Sequence, residues 1–336
     1  MSIEVRTFSR AGLIGNPSDC YFGKAICLTL RNYSARVVLR ENDKLVLRPQ
    51  TCDRLEFGGI DDLTNEISTY GYYGGIRLIK ATIKRFRDYC LERGIEMNAG
   101  NFSLEYESDI PVRVGMAGSS AIIAGTMLAL TRHYGVEIPK ELLPSLLLSV
   151  EMDELGISGG LMDRVIQTYE GLVFMDFDRK MIESKGHGVY EPLDPGLLPP
   201  LFVAFAGHFA EGTEVVHNPL RERFRKGDPE LLKAIRTWAD LAQRTRDMLL
   251  QGKGDGIGPL MDENFDLRDS LYGVGEVNRK LAKCGRELCA HINLAGSGGT
   301  LVGTYDGDPQ RLESLKRAYT QIGAVCFAPS IEEPSE

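Results

Sequence analysis

A glycine- and serine-rich segment, PVRVGMAGSSA at residues 111–121, offers the clearest candidate chemistry in the sequence. Gly115 and Gly118 let the main chain approach a phosphate closely, and the first N–H groups of a following helix carry partial positive charge. Ser119 or Ser120 could add a hydroxyl donor to phosphate or a ligand to Mg²⁺. The same residues also suit a serine N-cap on a core helix, and spacing alone leaves both interpretations open.

Two common nucleotide-binding signatures do not occur in this chain. It has no G-x-x-x-x-G-K-[ST] loop, and no G-x-G-x-x-G follows a predicted strand. The sequence therefore disfavours both a P-loop and a dinucleotide-binding fold.

Asp163 is the second candidate, because it follows the glycine pair Gly159–Gly160 and precedes a helix-like stretch. An aspartate beside a transferable phosphate can accept a hydroxyl proton or orient the nucleophile. The alternative is a helix N-cap or a surface acid paired with Arg164. Glu151, twelve residues earlier, is either a metal ligand or a solvated residue on a charged helix.

A second glycine loop, AGSGGT at residues 295–300, precedes the strand-like segment LVGTY. Such a cluster is usually a tight turn. Two flexible loops far apart in sequence can nevertheless hold a polyphosphate from both sides. This prediction requires residues 115–120, 296–299 and 163 to line one cavity.

The surrounding pattern predicts a mixture of strands and helices. Alternating, β-rich residues predict strands over 26–40 and 102–107, and apolar residues at steps of three and four predict a helix over 76–90. Another helix is expected from Ser119 to His133, preceded by a strand-like stretch at 110–114. Together these elements predict an α+β fold.

A Gly- and Pro-rich stretch at 185–200 suggests a boundary between an N-terminal half, 1–190, and a C-terminal half, 191–330. The later pattern predicts a strand over 201–207 and a last strand at AVCFAP. Helices are expected over 229–251, 259–283 and 308–321.

Composition limits the classes of partner. Lys and Arg number 39 and Asp and Glu 47, a formal charge of -8, which argues against a nucleic-acid or membrane-surface protein. Seven cysteines without a C-x-x-C pair indicate reduced thiols, and no signal peptide or transmembrane segment is expected. We therefore expect a cytoplasmic protein that acts on small molecules, as a monomer or a homodimer.

The order of the glycine-bearing segments resembles the GHMP kinase superfamily, which includes galactokinase, homoserine kinase and mevalonate kinase. RAGLIGNPSD at residues 10–19 is similar to the family's first motif, and residues 111–121 resemble its phosphate loop, with Met116 and Ala117 in place of Leu and Gly. GGLMD at 159–163 resembles the segment that carries the catalytic aspartate. AGSGG at 295–299 resembles the third motif.

Longer strings resemble the glucuronokinase-like branch of the sugar-1-kinases in this superfamily. They are GLIGNPSDCYFGKAICLTL, YYGGIRLIKA, ELGISGGLMDRVIQTYEGLVFMDF and VVHNPLRERF. Asn16 and Pro17 replace the Glu-His pair of galactokinase, which argues against a galactose ligand. This resemblance implies an ATP-dependent kinase for the anomeric hydroxyl of a sugar acid, with D-glucuronate as the expected substrate.

The resemblance implies a GHMP kinase fold, with an N-terminal half like ribosomal protein S5 domain 2 and a ferredoxin-like C-terminal half. The cleft between the halves would hold ATP and Mg²⁺, the ion being bound by Ser120 and Glu151. Asp163 and Arg10 would be the catalytic pair. The implied nucleotide-binding residues are Pro111, Gly115, Ala117, Gly118, Ser119, Ser120, Ala121, Gly296, Ser297, Gly298 and Gly299.

The implied sugar-binding residues are less closely defined by motif. A uronate carboxylate needs a cationic subsite, and Arg113, Arg221 and Arg223 are candidates. Tyr21 and Tyr72 could each place an aromatic face against a sugar ring, although ordinary packing of each side chain is the more common outcome. The implied substrate contacts are Asn16, Ser18, Asp19, Tyr21, Tyr72, Gly159, Gly160 and Arg221.

Three alternatives remain at the level of sequence. The chain could be another kinase of this fold, acting on a heptose, fucose, galactose or mevalonate-type substrate. It could be a sensor that binds sugar and ATP without turnover, or a nicotinamide dehydrogenase. The five histidines form no paired metal-ligand spacing and are expected to be structural or at the surface.

Overall fold

The structure is a computed structural model that describes residues 2–50, 53, 58–60, 65, 74–206 and 220–332. Its strands form two separate sheets. The strands are β1 (Ser2–Ile14), β2 (Lys24–Glu41), β3 (Val46–Leu47), β4 (Phe102–Ser108), β5 (Leu172–Asp176), β6 (Val189–Leu193), β7 (Leu201–Ala206), β8 (His291–Leu294), β9 (Thr300–Thr304) and β10 (Ala324–Phe327).

The helices pack on these sheets. They are α1 (Gly75–Glu92), α2 (Gly118–Tyr134), α3 (Leu143–Ser149), α4 (Met162–Tyr169), α5 (Arg179–Lys185), α6 (Pro229–Leu250), α7 (Gly258–Tyr272), α8 (Glu276–Arg286) and α9 (Pro309–Gln321). A π-helical turn, Val150–Glu154, continues α3. Among the described residues, no helix has both the length and the apolar content needed to cross a bilayer.

The first sheet is organised around the long strand β2. Strand β1 pairs with β2 along most of its length, while β4 and β5 pair with its C-terminal and N-terminal parts. The strand order is β3-β4-β2-β5-β6, with β1 on β2; helix α2 packs against this sheet and helix α1 packs against α2. The sheet therefore brings the segments before Gly15, after Ser108 and before Leu172 close together.

The second sheet has the order β10-β7-β9-β8, and all its pairs are antiparallel. Phe202, Leu281 and Tyr319 are buried between it and α8 and α9. Helix α6 instead packs on β2, and its Trp238 is fully buried in the core of the first sheet. The C-terminal part of the chain thus supplies apolar area to both cores. The boundary expected near residue 190 stays a prediction.

Most predicted elements are confirmed, including the strands at 26–40 and 102–107 and the helices at 76–90 and 119–133. The single helix expected over 259–283 is wrong. It is two helices, because Gly273 and Gly275 adopt φ values of 73° and 81°, outside the helical region.

The strand-like stretch at 110–114 is also wrong, since β4 ends at Ser108 and an irregular loop follows. Arg113, Gly115 and Ala117 have φ values of 62°, 74° and 63°. Three left-handed residues at alternate positions cannot continue an extended strand. The same conformations fold the loop back over the start of α2.

Candidate functional site

The first glycine loop ends where α2 begins. Ala117 precedes the helix, and Ser119 and Ser120 lie in its first turn. The first N–H groups of a helix lack intrahelical acceptors and carry partial positive charge. Ser120 Oγ donates a hydrogen bond to the carbonyl oxygen of Ala117 at 3.1 Å. The serine N-cap interpretation is wrong, because Ala117 occupies the N-cap position and no side chain caps the helix.

The second glycine loop connects β8 to β9 and packs directly on the first. A Cβ atom added to Gly115 would lie 2.5 Å from the carbonyl oxygen of Gly298, and one added to Gly296 would lie 2.6 Å from the carbonyl oxygen of Gly115. Only glycine allows main chains to approach so closely. We call residues 113–120 and 295–299 the paired glycine loops.

Arg10 joins these loops to Asp163. Its Nε donates to Asp163 Oδ1 at 2.7 Å, and its Nη1 donates to the carbonyl oxygens of Gly115 at 2.5 Å and Ala295 at 3.0 Å. Arg10 is only 5% exposed. Burial opposes its charge, but the adjacent Asp163 carboxylate more than compensates, so the pKa of Arg10 is raised. Asp163 is thus a partner of Arg10 rather than a surface acid, and Arg164 Nη1 also lies 3.6 Å from its Oδ2.

Asp19 lies on the other side of the same cavity, against Gly160. A Cβ atom on Gly160 would collide with Asp19 Oδ2 and Cys20 Sγ. Burial, and next the negative charge of Asp163, raise the pKa of Asp19 to about 6, while Arg10 acts in the opposite direction. The site therefore holds two carboxyl groups near the buried guanidinium of Arg10.

Glu151 projects into the cavity from the π-helical turn. The alternative of a solvated residue is wrong, because Glu151 is 4% exposed and contacts the guanidinium of Arg164. Arg164 also donates to the carbonyl oxygen of Gly160 at 2.8 Å. We call Arg10, Asp19, Glu151, Asp163 and Arg164 the charged cluster.

The paired glycine loops and the charged cluster line one cleft of about 500 Å³. One cleft therefore brings together Asp163, the first glycine loop and part of the second, although Gly298 and Gly299 do not line it as the sequence prediction required. The predicted residues that line it are Arg10, Asn16, Asp19, Pro111, Gly115, Ala117, Gly118, Ser119, Ser120, Glu151, Gly159, Gly160, Asp163, Gly296 and Ser297.

Other predicted residues do not line this cleft. Tyr21 is 3% exposed and packs on Phe224, with 5.0 Å between the ring centroids, and Ser18 bonds to the main chain of Lys24. Ala121 is buried in α2, because the helix turns it away from the cleft. Gly298 contacts Gly115 of the first loop, the N–H of Gly299 donates to Asn278 Oδ1 at 2.8 Å, and Tyr72 lies outside the described residues.

Arg221 lies just behind the cleft wall. It donates to Ser158 Oγ at 2.7 Å and to the carbonyl oxygen of Gly159 at 2.9 Å. Among the described residues it has no acidic partner, whereas Arg223 pairs with Asp228 and Glu230. Arg113 lines the cleft at the first glycine loop.

Three buried asparagines fix the first motif to the C-terminal part of the chain. Asn264 Nδ2 donates to Asn293 Oδ1 at 3.1 Å, and Asn293 Nδ2 donates to Asn16 Oδ1 at 3.0 Å. Asn16 Nδ2 donates to the carbonyl oxygen of Leu294 at 2.8 Å. The amide of Asn16 is thus occupied within the protein, although the residue lines the cleft.

No sequence motif marks the residues that support the second glycine loop. Asn264 and Arg268 lie on the buried face of α7, where Arg268 donates to the carbonyl oxygen of Gly296 at 3.0 Å. Their sequence signal is a polar side chain within the apolar stripe of a helix. Such a residue must have a specific hydrogen-bond partner when it is buried. The identity of those partners was not readable from the sequence.

Residues 77–171 match the family model described as GHMP kinases N terminal domain. The chain is 37% identical over 345 residues to glucuronokinase 1 of Arabidopsis thaliana, covering 100% of this chain and 95% of that protein. Probable glucuronokinase 2 of the same plant is 37% identical over 329 residues, covering 96% of this chain and 89% of the relative. The chain belongs to the GHMP kinase family.

A solved structure supports the fold independently. Lactococcus lactis galactokinase complexed with galactose superposes with a TM-score of 0.79 at 16% sequence identity, covering 100% of this chain and 95% of that chain. The predicted GHMP kinase fold is confirmed. As a member of this family, the protein is a phosphotransferase that uses ATP and an alcohol acceptor, which excludes the dehydrogenase alternative.

Proposed function

We propose that this kinase transfers the γ-phosphoryl group of ATP to the anomeric hydroxyl of a sugar acid, D-glucuronate, to give glucuronate 1-phosphate and ADP. The observation that carries the phosphotransfer site is the Arg10–Asp163 pair, which contacts both glycine loops in one cleft. The choice of acceptor is supported by the two Arabidopsis thaliana relatives, which align with nearly all of this chain.

The paired glycine loops would hold the phosphates of ATP. Main-chain N–H groups at the start of α2, around Gly118 to Ser120, supply donors and the positive end of the helix dipole. The close contact between Gly115 and Gly298 keeps the two loops at a fixed spacing. Ser297 adds a polar side chain to the wall of the cleft.

Magnesium fits the donors available in the cleft. Ser120 offers a hydroxyl and Glu151 a carboxylate, and oxygen ligands of this kind are those that Mg²⁺ prefers. No group of three His, Cys, Asp or Glu side chains that could hold a metal comes together in the described residues, so the phosphates would have to supply further oxygen ligands. A magnesium ion held by these two residues and the phosphates would offset negative charge on the transferred group.

Asp163 would face the acceptor hydroxyl and accept its proton or orient it for attack. Arg10 pairs with Asp163 at 2.7 Å and would place positive charge beside the moving phosphoryl group. Arg10 is held by two carbonyl oxygens, so its guanidinium is already in place before substrate binds. Phosphoryl transfer needs positioning and charge stabilisation more than covalent chemistry from the protein.

The sugar would bind between Asp19 and the Gly159–Gly160 loop. Asp19 can accept hydrogen bonds from ring hydroxyls, and the missing side chain at Gly160 leaves that carboxylate close to the main chain. Asn16 would shape the pocket rather than bind substrate, because its amide bonds to Asn293 and Leu294.

Arg221 is the best-supported partner for the uronate carboxylate. It is a cation without an acidic partner among the described residues, and Ser158 and Gly159 hold it against the cleft wall. Arg223 has its charge balanced by Asp228 and Glu230, which argues against a substrate role. A planar guanidinium can donate two parallel hydrogen bonds to a carboxylate, which a protein hydroxyl group cannot do.

A substrate panel followed by ADP release tests this assignment. We expect D-glucuronate to be turned over with a kcat/KM at least tenfold above that of galactose, fucose, a heptose and mevalonate. Equal or better turnover of a neutral sugar or of mevalonate would refute the sugar-acid assignment and favour another GHMP kinase activity. No turnover of any acceptor would favour the sensor alternative.

Two arginine variants sharpen the test. Arg221→Met should raise the KM for glucuronate about tenfold or more, because a charge-assisted bond to a carboxylate is worth roughly 1.5 to 3 kcal/mol. Arg223→Met, the matched control two residues away, should leave that KM unchanged. The assignment of Arg221 fails if both variants behave alike.

The net charge of the chain bears on its partners. A formal charge of -8 gives no general attraction for nucleic acid or anionic membranes, so the partners would be small molecules. We propose a cytoplasmic enzyme that works as a monomer or a homodimer.

A further inference from the structure

Arg164 follows Asp163 directly in the first turn of α4, and its guanidinium is buried inside the protein. The residue is 5% exposed. An arginine of this kind is rarely buried without several specific partners, since removing its charge from water costs several kcal/mol. Neither phosphate binding nor proton transfer by the other cleft residues explains why Arg164 is buried here.

The partners of Arg164 belong to two different parts of the site. On one side it contacts the carboxylate of Glu151, itself buried on the π-helical turn. On the other side Nη1 donates to the carbonyl oxygen of Gly160 at 2.8 Å and lies 3.6 Å from Asp163 Oδ2. One side chain therefore links the candidate magnesium ligand to the loop and carboxylate that face the acceptor.

The Gly159–Gly160 loop rests on this guanidinium. A Cβ atom added to Gly159 would lie 3.2 Å from both Nη1 and Nη2 of Arg164, so the main chain packs directly on the planar group. The same loop contacts Asp19 at Gly160. A change in the position of Arg164 would therefore move the loop that borders both carboxyl groups.

Asp163 lies between two arginines that hold different oxygens. Arg10 bonds Oδ1 at 2.7 Å, and Arg164 approaches Oδ2 at 3.6 Å. Two buried cations next to different oxygens restrict rotation of the carboxylate about its terminal bond. This restriction matters because the carboxylate must meet the acceptor hydroxyl in one orientation.

We propose that Arg164 is a positioning residue for phosphoryl transfer: it holds Asp163, the Gly159–Gly160 loop and Glu151 in their working arrangement. This inference rests on the proposed role of Asp163. It is independent of which sugar is the acceptor. Arg164 acts through these neighbours, and neither ATP nor sugar needs to touch it.

The test compares Arg164→Lys with the wild type. Lysine keeps the positive charge beside Glu151 but loses the planar fork that reaches Gly160 and Asp163 together. We expect kcat to fall about tenfold or more, with the KM for ATP within about threefold of wild type, because a displacement near 1 Å can cost about 10²-fold in rate. ADP release with the best acceptor of the panel measures both constants.

Arg164→Gln removes the charge and should lower kcat further, by about 10²-fold. Glu151 would then be buried without its partner, so thermal unfolding must accompany the assay, and rates are expressed per folded molecule. If Arg164→Gln does not fold, the lysine variant alone decides the question. A kcat for Arg164→Lys within twofold of wild type would overturn the proposal.

Arg31 provides a matched control, because it forms a partly buried pair with Glu170 at 2.7 Å and does not line the cleft. Arg31→Lys and Arg31→Gln should lower the melting temperature without changing kcat per folded molecule. If the Arg31 and Arg164 variants lose stability alike and keep kcat alike, Arg164 has only a structural role.

Asp163→Asn, assayed alongside, separates the proposed role of Asp163 in phosphoryl transfer from the positioning role of Arg164. Loss of turnover in Asp163→Asn together with normal turnover in Arg164→Lys refutes the positioning role and leaves the proposed function intact. Normal turnover in both variants refutes the role of Asp163 and with it the inference about Arg164.

Discussion

The paired glycine loops and the charged cluster line one cleft, but main-chain atoms form the first surface and charged side chains form the second. The loops meet through main-chain atoms of Gly115, Gly296 and Gly298, where the absence of side chains allows the close contact, and Arg10 bonds to both loops. The charged cluster depends on the ionised ends of long side chains, such as Arg10 and Arg164, that are buried and hydrogen-bonded. The first surface is defined by where side chains are missing and the second by which side chains are present.

This difference predicts how each surface responds to sequence change. The first loop carries Met116 and Ala117 where the family pattern has Leu and Gly, and it still closes on the second loop, because Ala117 adopts a φ of 63° despite its side chain. The charged cluster has no such freedom, since each buried charge depends on a particular partner. Variants of the two surfaces should therefore fail in different kinetic constants.

The largest expected effect is in the charged cluster. Asp163→Asn should lower kcat by roughly 10²- to 10⁴-fold, because the amide cannot accept a hydroxyl proton. Stabilisation of the protein by ATP and Mg²⁺ in a thermal-shift assay should be nearly unchanged, since the nucleotide is held by the paired glycine loops. A kcat within tenfold of wild type would remove Asp163 from its proposed role.

The next effect belongs to the paired glycine loops. Gly115→Ala should raise the KM for ATP about tenfold or more, because a Cβ at φ 74° is strained and would lie 2.5 Å from the carbonyl oxygen of Gly298. The KM for the sugar should change little. Steady-state kinetics with each substrate varied in turn measures both values.

Gly135→Ala is the matched control for this variant. Gly135 has a φ of 62° at the end of α2, and an added Cβ there would meet nothing within 4 Å. Both alanines carry the same backbone penalty of about 1 to 2 kcal/mol. If Gly135→Ala raises the KM for ATP as much as Gly115→Ala does, general destabilisation explains the effect and contact between the loops does not.

The smallest effect is a pH dependence confined to the charged cluster. With its pKa raised to about 6, Asp19 is mostly ionised at pH 7.5 but largely protonated at pH 5.5, so the KM for the sugar should rise about fourfold on going to pH 5.5. Asp19→Asn should have a higher KM that does not vary over this range. An unchanged KM in the wild-type enzyme would exclude Asp19 as an ionised acceptor for sugar hydroxyls.

The same shift has a consequence for stability. The folded protein binds the Asp19 proton more tightly than the unfolded chain does, so this residue lowers the free energy of unfolding as pH rises from about 4 to 6. Comparing denaturant unfolding of wild type and Asp19→Asn across this window measures the contribution. The opposite sign would mean that Asp19 is stabilised as a carboxylate in the unliganded enzyme.

The two surfaces also differ in how far they could be predicted. The loops were identified from short local patterns, because glycine spacing before a helix reports a main-chain geometry that is set within a few residues. Glu151 and Arg164 were harder, because their pairing depends on the π-helical turn and α4 packing together. The network of Asn16, Asn264 and Asn293 joins residues more than 200 positions apart and had no local signature of its partners.

The sequence by itself determined the class of the protein, the main strands and helices, and the residue types that do the chemistry. Periodicity and glycine placement encode these features locally. Only the tertiary structure decided that residues 10, 19, 115, 151, 163 and 296 share one cleft, that Tyr21 packs away from it, and that Arg164 is buried beneath its loop. Those outcomes depend on the strands that pair with both edges of β2 and on the packing of the second sheet. Both involve residues far apart in sequence, so the lowest free energy of the whole chain decides them and no local pattern does.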